Sequence, residues 1–169
     1  NIKQTPGQIF EVESGYNYIE VIENKGFTQL RLNDGQGVHS IYHPEIIKYD
    51  GPWMQFLAAP FFNLPNYSID DVNSMAIVGL AAGTTPRQAT EVFGPILIDG
   101  YEIDETIIEV GKEYFGMTMS NLNTFAVDGR WGLDHSENTY DIIAVDAYRP
   151  PYIPWHLTTV EFFQVTYDR

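Results

Sequence analysis

Apolar and polar positions alternate in the manner of strands over residues 8 to 43, where Ile9, Val12, Tyr16, Tyr18, Ile19 and Val21 are followed by Phe27, Leu30 and Leu32. A period near two sends successive side chains to opposite faces, so this stretch reads as half-buried β-structure. Glycine-bearing breaks at Ser14-Gly15, Asn24-Lys25-Gly26 and Asn33-Asp34-Gly35-Gln36-Gly37 divide it and read as turns. A small antiparallel meander is predicted. From Gly51 to Phe62, Trp53, Phe56, Leu57 and Pro60 recur near helical spacing, and a short helix is expected after Pro52. Residues 63 to 73 are polar and turn-rich and read as a link.

Beyond the link the pattern changes. Met75-Ala76-Ile77-Val78 is a continuous apolar run, as expected of a strand buried on both faces, and it leads through Gly79-Leu80-Ala81-Ala82-Gly83 into a helical stretch from Pro86 to Phe93. Residues 96 to 102 supply a second strand and 105 to 115 a second helix, with Ile107, Val110, Gly111 and Tyr114 on one side. Thr124 to Val127 and Asp141 to Val145 read as a third and a fourth strand. A last helix follows near Thr159, with Thr158 and Glu161 as a Thr-x-x-Glu capping box. Strand and helix in this rhythm predict parallel strands joined by right-handed crossovers, an α/β doubly wound sheet. The expected organisation is an N-terminal β domain (1–62), a linker (63–73) and a Rossmann-like domain (74–169). With its fourth strand so near Arg169, that sheet is expected to be C-terminally incomplete, with an edge open to pairing.

Composition narrows the function. The 169 residues carry 23 acidic and 9 basic side chains, a net charge of −14, which opposes the phosphate backbone and excludes nucleic acid as an expected partner. The negative charge would favour a cationic ligand, although solubility alone also accounts for it. With no cysteine there is no disulfide, thiolate metal site or cysteine nucleophile. No apolar run approaches the roughly 20 residues that span a bilayer, and the start lacks both methionine and a signal-peptide stretch, which suggests a processed or excised domain.

Three carboxylates fall where a doubly wound sheet binds ligands, just past the ends of its strands. The small residues of the turn Gly79 to Gly83 let a ligand approach the backbone, and Glu102 lies 19 residues past Gly83, a spacing suited to a carboxylate that holds ribose hydroxyls. A turn that merely packs strand on helix is the alternative. Asp128-Gly129 follows the third strand and faces the same crevice, or is an ordinary Asp-Gly turn. Asp146 follows the fourth strand, where an acid takes a proton from an attacking amine, holds a cationic amine by charge, or caps a turn. Tyr148, Tyr152 and Trp155 read as an aromatic wall around a cation or as plain packing. His39 and His43 stand four apart in strand-and-turn surroundings with no third ligand near, so they read as surface or hydrogen-bonded histidines, and no metal site is expected. His135 and His156 are isolated. Neither a Gly-x-Ser-x-Gly elbow nor a phosphate-binding Gly-x-x-x-x-Gly-Lys occurs.

Taken in order, these segments resemble the polyamine aminopropyltransferases, that is, spermidine and spermine synthases and their membrane-fused relatives. Glu13 to Val21 looks like the family's opening Ser-x-Tyr-Gln segment and Leu32 to Gly35 like its Leu-Asp-Gly turn with one inserted residue. Ile77 to Gly83 falls at the glycine-rich loop, Glu102-Ile103-Asp104 at Glu-Val-Asp, Asp128-Gly129 at Asp-Gly, and Tyr140 to Asp146 at Tyr-Asp-Val-Ile-x-x-Asp. Leu157, Thr158, Phe162 and Phe163 match the Leu-Phe-Thr-x-x-Phe-Phe segment.

The resemblance implies a small β domain before a methyltransferase-like Rossmann domain, with decarboxylated S-adenosylmethionine as donor and a diamine as acceptor. It implies that Gly79, Gly83, Glu102, Ile103, Asp128 and Gly129 hold the nucleoside, Glu102 on the ribose and Asp128 toward the adenine. Asp146 would act on the attacking amine, with Tyr148 beside the substrate. A homo-oligomer in the cytoplasm is expected, or a membrane-tethered parent chain. The sequence departs from the family pattern on the amine side: Ala82 replaces the Asp of the glycine loop, Trp53-Met54-Gln55 replaces Tyr-His-Glu, Arg149 replaces the second acid of Asp-x-x-Asp-Pro, and His39 or Gln36 stands for a Gln. These departures leave two further readings open, S-adenosylmethionine binding with methyl transfer, and a non-catalytic assembly domain.

Overall fold

The computed structural model describes residues 4–33, 37–62, 67–148 and 152–169. Asp34, Gly35, Gln36 and Arg149 lie outside these described residues. Four strands, β1 (Gln8–Glu13), β2 (Tyr18–Asn24), β3 (Phe27–Leu32) and β4 (Ser40–Tyr42), form the predicted meander, antiparallel and in sequence order. The β2–β3 reversal takes two residues, Lys25 and Gly26, both at positive φ (52° and 83°), the hand that matches strand twist. The short helix α1 (Trp53–Ala58) follows Pro52 as expected and buries Trp53 and Leu57.

The second sheet contains β5 (Ser74–Val78), β6 (Leu97–Tyr101), β7 (Leu122–Phe125) and β8 (Ile142–Val145), all parallel, in the order β7-β6-β5-β8. The apolar run of β5 has its physical reason in two cores. Met75 and Ile77 pack on one face with Ile98, Ile108 and Ile142, while Ala76 and Val78 pack on the other with Tyr101, Leu133 and Phe162. The chain reverses direction across the sheet between β5 and β8, which opens a crevice outside their C-terminal ends.

Several boundaries differ from expectation. Helix α2 (Thr84–Phe93) starts two residues before Pro86, because Gly83, at φ +92°, ends the preceding turn and leaves proline inside the first turn. Helix α3 (Glu105–Tyr114) matches its expected span, but β7 ends at Phe125, and Asp128 caps an unpredicted six-residue helix α4 (Gly129–Asp134). The expected capping box is displaced at α5 (Val160–Asp168). Thr159, not Thr158, is the N-cap, and its Oγ1 accepts the Phe162 N–H at 3.3 Å. A 3₁₀ turn over Trp155–Leu157 engages Thr158, whose hydroxyl donates to the Trp155 carbonyl at 2.8 Å, so the helix opens one residue later.

The meander packs on the parallel sheet through one buried cluster, in which Ile19, Val21 and Leu30 meet Ala82, Ile107, Val110 and Phe115. Polar clamps fix the joint. Ser14 Oγ and Asn17 Nδ2 donate to Asp104 Oδ2 at 2.6 and 3.0 Å, and Asp104 Oδ1 accepts the Thr106 N–H, capping α3. The Ala82 N–H donates to Ser40 Oγ at 2.9 Å. Two motif segments 90 residues apart, those of Ser14 and Asp104, therefore meet.

Candidate functional site

Backbone hydrogen bonds place the site residues at the strand ends. The Glu102 N–H donates to the Phe125 carbonyl at 3.0 Å, the Asp146 N–H to Val78 at 2.8 Å, and the Gly79 and Leu80 N–H groups to Tyr101 at 2.9 and 3.0 Å. These bonds carry the parallel registers one step past β5, β6 and β8, so the residues that follow turn into one crevice. A cavity of about 270 Å³ occupies it. Gly79, Glu102, Ile103, Asp128, Gly129, Asp146 and Tyr148 all line that cavity.

Gly83 does not reach it. A Cβ there would lie 2.7 Å from Met117 Cγ, and the residue serves the start of α2. Trp155 does not line the cavity either and is 70% exposed, whereas Tyr152 does. Trp53, Met54 and Gln55 belong to α1 and also lie off its lining. Ala82 is fully buried in the joint between the sheets.

The three carboxylates have different surroundings. Glu102 is buried, and its oxygens accept the Ala81 N–H at 3.0 Å and the Asp104 N–H at 3.2 Å. Burial pushes its carboxyl above the ordinary range, against the opposing pull of those backbone donors. Asp128 caps α4 through Oδ1, which accepts the Trp131 N–H at 3.0 Å, and its Oδ2 lies 2.9 Å from His156 Nε2. His156 is thus not isolated. With Arg130, whose Nη1 donates to the His156 carbonyl at 2.9 Å, it ties the segment after β8 to α4. Asp146 is half-buried, makes no side-chain hydrogen bond among the described residues, and has its carboxyl raised by desolvation.

Sequence reading missed Asn17 and Leu32 from the meander side and Pro154 and His156 from the segment after β8, all on the lining; His39, one of two candidates there for the family's Gln, lines it too. Their position depends on how two sheets dock, for which no local pattern exists. Among the described residues no cluster of His, Asp and Glu is arranged to hold a metal ion, and no helix is long and apolar enough to cross a membrane.

No family model matches the chain. It is 34% identical over 154 residues to a probable polyamine aminopropyl transferase of Bifidobacterium longum, covering 91% of this chain and 33% of that protein. It is 28% identical over 166 residues to a polyamine aminopropyltransferase of Clostridium botulinum, covering 92% and 53%. Over nine tenths of its length the chain is similar to polyamine aminopropyltransferases. It spans a third to about half the length of these two relatives. Its fold matches a probable spermidine synthase of Corynebacterium glutamicum with a TM-score of 0.74 at 17% identity, over 96% of this chain and 59% of that one. A spermidine synthase in complex with the transition-state analogue AdoDATO gives 0.69 at 22% identity, over 95% and 52%.

The glycine loop contains a strained residue. Ala81 has φ +49° and lines the cavity while its N–H holds Glu102. A non-glycine residue in the left-handed region costs about 1–2 kcal/mol, part of which glycine returns through its freer unfolded chain. Ala81→Gly is therefore expected to raise stability by roughly 0.5–1 kcal/mol in urea denaturation, with the cavity intact.

Proposed function

We propose that this cavity binds decarboxylated S-adenosylmethionine and that the chain carries the donor site and the chemical centre of aminopropyl transfer to an amine. The observation that carries this reading is the convergence of Glu102, Asp128 and Asp146, from the ends of three strands, on one crevice. Glu102 takes the ribose hydroxyls, Asp128 faces the base, and Gly79, Ile103 and Gly129 line the nucleoside's path. The sulfonium makes the adjoining propyl carbon electrophilic, and a neutral amine attacks it. Asp146 holds by charge the nitrogen that becomes cationic, beside Tyr148. The relative captured with AdoDATO supports a small-molecule nucleoside partner.

The amine half of the site differs from the family pattern. Ala82, at the position where the family's glycine loop carries the Asp that binds the donor's amine end, is buried in the joint between the sheets and supplies no such carboxylate.

The test is incubation with decarboxylated S-adenosylmethionine and a panel of amines, with release of methylthioadenosine as the readout. Amine-dependent release is expected, and its absence across the panel would sink the proposal. Glu102→Gln is expected to weaken methylthioadenosine binding about tenfold by calorimetry. A hydrogen bond to a charged group contributes roughly 1.5–3 kcal/mol, and 1.4 kcal/mol is a factor of ten.

A further inference from the structure

Asp128 and His156 lie on the cavity lining and are bonded to each other, with Asp128 Oδ2 2.9 Å from His156 Nε2. The two residues come from different strand ends, after β7 and after β8, and their side chains stay partly open, 37% and 32% exposed. Other polar clamps of this region sit off the lining: those of Ser14 with Asp104, Ser40 with Ala82, and Arg130 with Thr159.

The imidazole is not needed to hold its own segment in place. Leu157, the next residue, is buried in the core with Leu133 and Phe162, and its N–H donates to the Pro154 carbonyl at 2.9 Å. Arg130 Nη1 donates to the His156 carbonyl at 2.9 Å and to Thr159 Oγ1 at 3.3 Å. The main chain around His156 is therefore fixed without the ring, and among the described residues the ring's hydrogen bond goes to Asp128 alone.

That bond fixes the carboxylate instead. Asp128 Oδ1 accepts the Trp131 N–H at the start of α4, and Oδ2 lies against His156. A carboxylate bonded once swings about its broad terminal torsion, whereas one bonded at both oxygens from two elements keeps one plane. What it leaves toward the cavity is acceptor capacity only, since an ionised carboxylate has no proton to donate.

We infer that His156 is a positioning residue, one that holds the Asp128 carboxylate in the plane that accepts the exocyclic amine of adenine and repels the carbonyl oxygen of hypoxanthine. This deepens the nucleoside-binding reading above and rests on it. Adenine presents an N–H donor where hypoxanthine presents a carbonyl, and a carboxylate that cannot turn aside discriminates between them by repulsion as well as attraction. With the imidazole gone, the carboxylate turns away from either base and the distinction fades.

Calorimetry on the whole chain with methylthioadenosine and methylthioinosine, which differ only at that edge of the base, tests this. The native chain is expected to prefer methylthioadenosine by roughly 100-fold, because a site built to bond a substrate N–H rejects the analogue that lacks it. His156→Leu, which keeps bulk without a donor, is expected to shrink that preference about tenfold, and His156→Gln, which keeps an N–H, to retain most of it. A bracing role would weaken both nucleosides together, so a preference that stands in His156→Leu overturns the inference. Imidazole ¹⁵N NMR supplies a measurement on the native chain: the His156 Nε2 resonance is expected to move with methylthioadenosine and to stay with methylthioribose, which lacks the base. A resonance that stays with both overturns the inference as well. If the native chain binds methylthioadenosine with no preference over methylthioinosine, the nucleoside site stands and the role of His156 is overturned. If it binds neither, the nucleoside reading fails and this role falls with it.

Discussion

Asp146→Asn is expected to lower amine-dependent release of methylthioadenosine by roughly 100- to 1000-fold while leaving nucleoside affinity nearly unchanged. The charge on the acceptor nitrogen appears only as the carbon–nitrogen bond forms, and a fixed carboxylate in a partly dry cavity stabilises that charge without reorganising. Removing one such preorganised electrostatic partner typically costs 10²–10³ in rate. Asparagine keeps the shape and removes the charge, so rate and nucleoside binding should separate. A parallel loss of both would place Asp146 in the nucleoside subsite instead.

The pH dependence follows from the same burial. The Asp146 carboxyl is raised above the ordinary 3.8, so its charge is lost as pH falls through that raised value. Asp146 must be unprotonated for turnover, and the acid limb that its charge sets should be absent in Asp146→Asn. For stability the sign is reversed. A carboxyl raised in the folded state binds its proton more tightly there, so the native chain loses stability as pH rises from 3.8 through the raised value, and above that window the asparagine variant should be no less stable.

The parts of this molecule legible in its sequence are those governed by local pattern. The continuous apolar run of β5 announced burial on both faces, and the glycine-bearing turns of the meander fell where the reversals are. Glu102, Asp128 and Asp146 were legible because a parallel sheet presents the residues just past its strand ends to one crevice. Helix α4 escaped notice because six residues hold too few apolar positions to show a period. Thr158 resembled a cap, but a preceding 3₁₀ turn had already claimed its hydroxyl. The pairs Ser14–Asp104 and His156–Asp128 join residues 90 and 28 positions apart, and His39 reaches the cavity only because the meander docks on α3 and the glycine loop. Docking of this kind is written in shape and distributed burial, not in spacing.

Gly79→Ala is expected to destabilise the fold by about 3 kcal/mol and to disrupt the site with it. The residue has φ +88°, where a Cβ costs about 1–2 kcal/mol in itself. That Cβ would also stand 2.7 Å from the Ala147 nitrogen and 2.8 Å from the Asp146 carbonyl carbon, backbone atoms with no rotamer to yield. Neither strand end can step aside cheaply, since the Gly79 N–H is bonded to Tyr101 and the Asp146 N–H to Val78. Overpacking of this kind adds about 1–3 kcal/mol. Gly26 in the β2–β3 turn is the control, with φ +83° and only His43 ring atoms at 3.4 Å or beyond from its would-be Cβ, so Gly26→Ala should show the conformational cost alone. Urea denaturation of the two variants should therefore differ by about 2 kcal/mol, and only Gly79→Ala should also lose methylthioadenosine binding, because the clash displaces Asp146 and Ala147 from the cavity wall. Equal destabilisation would mean that the strand ends separate freely, and the crevice would then owe its shape to something other than the close approach of these two loops.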